Sequence, residues 1–109
     1  MREEKRLPGH VTATVGAICR GYAEREQIIR RGVTAGVPYD RYAECLRLNG
    51  SIDAALAACP DDITRQVVKK ALTEGLGFDS VGICYCGKNQ FYRRKNAVKR
   101  DIARRLHLI

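Results

Sequence analysis

Residues 88–109 hold eight basic side chains (Lys88, Arg93, Arg94, Lys95, Lys99, Arg100, Arg104 and Arg105) against one acid, Asp101, so this stretch carries +7 of a formal net charge of +8. Such a charged run folds only where something apolar anchors it, and Phe91, Val98, Ile102 and Leu106 recur through it at helical spacing. The pattern predicts a basic amphipathic helix packed on a folded domain rather than a solvated tail. A polyanion is the partner such a surface suits.

The 109 residues give room for one domain, and 45% hydrophobic content is ordinary for a globular chain. With 6% aromatic residues and no Trp, the core must be small and aliphatic. The expectation is a single all-α domain over 1–109, in which 1–59 supply N-terminal helices for dimerisation or partner binding and 60–109 form a helix-turn-helix ending in the long basic helix. Five cysteines make an odd number, and the charged opening Met1, Arg2, Glu3, Glu4, Lys5, Arg6 leads into no apolar stretch. This predicts reduced thiols, no secretory signal and a cytoplasmic location in a bacterial host cell. No apolar run approaches the roughly 18 residues that cross a bilayer, so a membrane is not expected as a partner.

Along 10–31, Val11, Val15, Ile18, Tyr22 and Ile29 fall on one stripe, with Glu26 and Arg30 spaced for an i,i+4 ion pair, which predicts a first helix ended by Gly32. A second helix over 39–48 places Tyr39, Tyr42 and Leu46 on one face. Asn49 and Gly50 then break or bend it, and Ser51 is suited to cap a short run over 52–59; one bent helix and two helices both fit. Pro60, Asp61 and Asp62 mark the next boundary, where carboxylates satisfy the free N–H groups of a helix start. The helix over 62–74 should bury Ile63, Val67, Ala71 and Leu72 and stop at Gly75. A short segment around Phe78 and Val81 and a compact apolar link over 82–87 precede the basic helix.

A tight glycine-bearing link between a short piece and a basic helix is the organisation of a helix-turn-helix, whose second helix enters the major groove. With Phe91 and Val98 inward, Asn89, Gln90, Tyr92, Arg93 and Asn96 point outward near the helix start and Lys88 sits at the margin. Asn and Gln can read adenine and Arg can read guanine. Lys95, Lys99, Arg100, Arg104 and Arg105 are left for phosphates or solvent. The candidate nucleic-acid-binding set is therefore Lys88, Asn89, Gln90, Tyr92, Arg93, Arg94, Asn96, Lys99 and Arg100.

The succession Cys84, Tyr85, Cys86, Gly87, then Gln90, Phe91, Tyr92, Arg93, then Ala97, Ile102, Ala103 and Leu106 carries a likeness. Residues 60–106 resemble region four of sigma factors and, more closely, the small phage transcriptional regulators of the RinA/ArpU type. There an apolar-x-apolar-Ser turn is followed by a Thr-aromatic-Tyr-Arg start to the recognition helix. Gly87 stands where Ser or Thr caps that helix, a replacement that costs only about a few tenths of a kcal/mol. The resemblance implies a phage or prophage transcriptional regulator bound to double-stranded DNA, acting by occupying an operator or recruiting RNA polymerase.

A second expectation, from a different class, is a phage inhibitor of a host defence nuclease, an anti-CRISPR protein whose basic surface engages a CRISPR nuclease complex. A homodimer is expected, through the apolar end at Ile102, Leu106, Leu108 and Ile109 or through the stripe from Val11 to Ile29. Cys84 and Cys86 are spaced Cys-x-Cys, not as a zinc knuckle, and no second close pair exists; Cys45, Cys59 and Cys86 are better read as core residues. No metal and no cofactor are expected. Asp61 and Asp62 are explained as caps, Gly75, Leu76 and Gly77 lack the Lys and strand of a phosphate loop, and no nucleophile motif lies near His10 or His107, so no enzyme is expected. Tyr85 and Tyr92 could stack on single-stranded bases, but packing accounts for them better.

Overall fold

The computed structural model describes residues 7–81 and 87–109, and every described regular element is helical. Five helices, α1 (Gly9–Arg20), α2 (Tyr22–Arg31), α3 (Tyr39–Leu56), α4 (Asp62–Glu74) and α5 (Lys88–Arg105), are joined by short 3-10 turns at Val33–Ala35 and Phe78–Ser80. The protein is all-α. The opening run 1–6 and the 82–86 part of the link, with Cys84, Tyr85 and Cys86, lie outside the described residues.

Residues 10–31 do not form the one helix that their periodicity predicts. The chain turns at Gly21, where φ is −86° and ψ is 3° and the Gly21 N–H is shared between the Ala17 and Ile18 carbonyls at 3.2 Å each. A kink exposes carbonyls, and the Arg25 guanidinium closes this one by donating to the Ile18 carbonyl and, through Nε, to Asn49 Oδ1 at 2.6 Å. Asn49 Nδ2 in turn donates to the Tyr22 carbonyl at 3.1 Å, and the Tyr22 hydroxyl to Asp53 Oδ1 at 2.7 Å. Glu26, spaced for Arg30, acts on the Tyr22 hydroxyl, which burial, Asp53 and Glu26 together push well above the ordinary phenol range.

The turn at Gly21 divides the apolar stripe between two cores. Val11, Val15, Cys19 and Tyr22 enter the main core with residues of α3, α4 and α5, whereas Ile28 joins Val37 and Cys45 in a smaller cluster between α2 and the start of α3. The molecule is accordingly long, 49 × 30 × 20 Å.

α3 runs unbroken through Asn49 and Gly50, and Ser51 donates to the Arg47 carbonyl instead of capping anything. Its inner face also differs from expectation. Cys45, Asn49, Ile52, Ala55 and Leu56 are buried, while Tyr39 is 70% and Leu46 44% exposed. Tyr39 and Leu46 are the larger apolar side chains, yet the helix buries an asparagine because the Arg25 and Tyr22 groups opposite it need a partner.

The α4 boundaries follow the sequence. Asp61 accepts from the Thr64 N–H at 2.7 Å and its hydroxyl at 2.9 Å, contacts that hold the carboxyl below its ordinary value, and Gly75 ends the helix with φ of 70°. Val67, Val68, Ala71 and Leu72 are buried, with Ile63 half-buried at the edge.

α5 runs against α1, α3 and α4. Phe91, Ile102 and Ala103 are fully buried and Val98 nearly so, which is the predicted phase. The helix ends in a Schellman motif, with His107 at φ of 60°, its N–H on the Arg104 carbonyl and the Leu108 N–H on the Ala103 carbonyl. Ile102 and Leu106, considered for a dimer contact, are spent in the main core, as are Val11 and Val15; at the C-terminal end Ile109 stays exposed.

Candidate nucleic-acid interface

The 18 residues of α5 span about 27 Å at 1.5 Å per residue. Because the inner stripe is set by Phe91, Val98 and Ile102, the opposite stripe consists of Asn89, Arg93, Asn96, Arg100 and Arg104, spaced by three or four residues. It contains no acid. Asn89, Arg93, Asn96 and Arg104 are exposed and Arg100 is half-buried. Lys88 is exposed at the helix start, where Gly87 offers no side-chain cap.

The remaining candidates sit on the flanks. Gln90 and Arg94 are half-buried, Arg94 beside a cavity of about 190 Å³ that it lines with Ala55, Cys59, Ala97 and Val98. Tyr92 has turned inward. Its ring meets Phe91 edge-on at 5.0 Å between centroids, and its oxygen accepts from the Phe78 N–H at 3.1 Å. Phe78 itself packs edge-on against Phe91 at 5.4 Å, so one aromatic cluster ties the 3-10 turn to the first turn of α5. Gly77 permits this approach, since a Cβ there would lie 3.2 Å from the Tyr92 oxygen. Tyr92 braces the helix and holds its hydroxyl on the protein backbone.

Charge along α5 is unevenly neutralised. Asp101 takes Arg105 at 3.1 Å and Arg104 at 3.6 Å, pairs in solvent that are worth little and screened by salt. Lys95, expected on phosphates or in solvent, is half-buried, with Nζ 5.6 Å from the Tyr92 ring centre and 3.4 Å from the Leu76 carbonyl. Lys99 is half-buried too, and burial holds both ammonium groups below the usual lysine range.

Two participants escaped the sequence pattern. Arg20, at the end of α1, acts electrostatically on Lys99 across the seam between the helices. It is the one Lys or Arg in α1, a signal that could have drawn attention to it. Phe78 lies in the short segment before the link, but its part in bracing Tyr92 depends on a contact fourteen residues apart, which no local pattern signals.

Among the described residues no group of three or more His, Cys, Asp or Glu side chains is placed to hold a metal ion, and no helix is long and apolar enough to cross a membrane. Cys19, Cys45 and Cys59 are buried thiols; burial pushes Cys19 up to about 11, leaving it protonated and inert at neutral pH. No family model, curated protein or solved structure matches the chain.

Proposed function

We propose that the protein binds duplex DNA through the outer face of α5 and acts as a sequence-specific transcriptional regulator of the helix-turn-helix kind. One observation carries this: the helix that concentrates the chain's charge is anchored by Phe91, Val98 and Ile102 and presents Asn89, Arg93 and Asn96 to solvent. A rigid helix can enter a major groove about 12 Å wide, and three side chains over two turns are what base readout needs. The amide and guanidinium groups suit adenine and guanine edges, while the surrounding cations suit phosphates. The aromatic brace from Phe78 through Tyr92 to Phe91 fixes the end of α5 that would do the reading.

Binding to a pool of duplexes, followed by sequencing of the retained fraction, tests the proposal. A preferred site is expected, with affinity falling steeply as salt rises. Arg93→Ala should weaken that site by about 1–3 kcal/mol and relax the preference at one position. Negligible binding at both low and physiological salt would remove the reading.

A further inference from the structure

Arg20, Lys95 and Lys99 come from two helices and meet along the seam between α1 and α5. The Arg20 stem lies against the end of α4, its Cδ 3.7 Å from where a Cβ on Gly75 would stand, while its guanidinium rests along α1 beside Gly16. Lys95 reaches the same turn through the Leu76 carbonyl at 3.4 Å. Lys99, one helical turn further along α5, feels both of the other cations. The group beside Lys99 that could favour its charge is the Cys19 thiol, and that thiol is neutral at pH 7. Among the described residues no carboxylate pairs with any of the three.

Lys95 and Lys99 are half-buried beside the exposed Arg20, and like charges partly withdrawn from water without a counter-charge cost the folded state stability. Carboxylates were available to this fold, as Asp101 shows on the other flank of α5. The seam instead keeps three cations of two geometries, a planar fork and two rotatable ammonium groups. That combination matches the oxygens of a phosphate, which accept from several directions and supply the missing negative charge.

We propose that Arg20, Lys95 and Lys99 form a clasp for a phosphate group, and that it takes one backbone phosphodiester of the duplex bound by α5. The second clause rests on the DNA-binding reading above. The clasp lies apart from the stripe of Asn89, Arg93 and Asn96, so it sets the position of the helix on the duplex and carries no base preference.

Two measurements test this on the full chain. In the first, melting temperature is followed in inorganic phosphate and in chloride at equal ionic strength, without DNA, for the natural protein, Lys99→Met and Arg20→Gln. Phosphate stabilises any folded surface somewhat by exclusion, so the difference between proteins is what counts. A larger phosphate gain for the natural protein than for either variant is expected; equal gains overturn the clasp. In the second, duplex affinity is measured across salt concentrations. Lys99→Met should lower the log–log salt slope by about 0.9 and weaken preferred and scrambled duplexes alike. An unchanged slope with binding intact overturns the assignment of the clasp to the duplex while leaving the DNA reading standing. A natural protein that keeps its phosphate gain but binds no duplex overturns the DNA reading and leaves a site for free phosphate esters.

Discussion

Arg25 and Lys99 are both half-buried cations beside α1, and burial pushes both toward neutrality, yet the chain treats them in opposite ways. Around Arg25 it provides the Asn49 amide oxygen and the Ile18 carbonyl, with Glu24 and Glu44 near enough to favour the charge. Around Lys99 it provides Lys95 and Arg20. The first cation is satisfied and holds a corner of the fold together. The second is opposed by its surroundings, a cost with no structural return, and perturbed groups of that kind concentrate where something else binds.

This contrast can be broken most directly at Asn49. Asn49→Leu leaves Arg25 Nε unpaired and removes the side-chain bond to the Tyr22 carbonyl, and the expected loss is about 2–4 kcal/mol in urea unfolding, because buried partners left unmade cost more than the bond contributes. An unchanged unfolding midpoint would mean that the Arg25 corner does not hold α1, α2 and α3 together. A smaller loss, about 1 kcal/mol, is expected for Tyr92→Phe, which strands the half-buried Phe78 N–H; the same variant should loosen duplex binding through the start of α5.

The smallest effect sharpens the comparison from the other side. Lys99→Met should leave stability unchanged or raise it at neutral pH, the reverse of what a structural cation would do. A lysine with a folded value below its ordinary 10.5 penalises the folded state wherever it remains protonated, and that penalty disappears once pH rises past 10.5. Any gain of Lys99→Met over the natural protein in melting temperature at neutral pH should therefore shrink above that value. Lys95, Arg20 and Cys19, which face Lys99, are common to both proteins. A lower melting temperature for Lys99→Met at neutral pH would show that the ammonium group is structural.

Much of α5 and α4 could be read in advance. Asp61 and Gly75 mark the ends of α4 through bonds made within a few residues, and Phe91 and Val98 set the phase of α5 because no other stripe in that segment is apolar. The faces of α3 could not be read that way. Its outward Tyr39 and Leu46 are more hydrophobic than the buried Asn49, and what draws Asn49 inward is a guanidinium twenty-four residues away. The Gly21 turn is similar: the local periodicity continues across it, and only Arg25 reaching back makes the break affordable. Of the candidate site, Asn89, Arg93 and Asn96 are exposed as their spacing implies, whereas Tyr92 is committed to Phe78 and Arg20 was not foreseen.

The chain's sequence alone determined where charge accumulates, where α4 starts and stops, and which side of α5 faces in, since each depends on a helical repeat or on hydrogen bonds spanning a turn. Tertiary structure decided which cations would be satisfied and which left opposed. Desolvation and pairing are set by whatever packs opposite a side chain, and for Arg25, Tyr92 and Lys99 those partners come from other helices or distant turns of the chain.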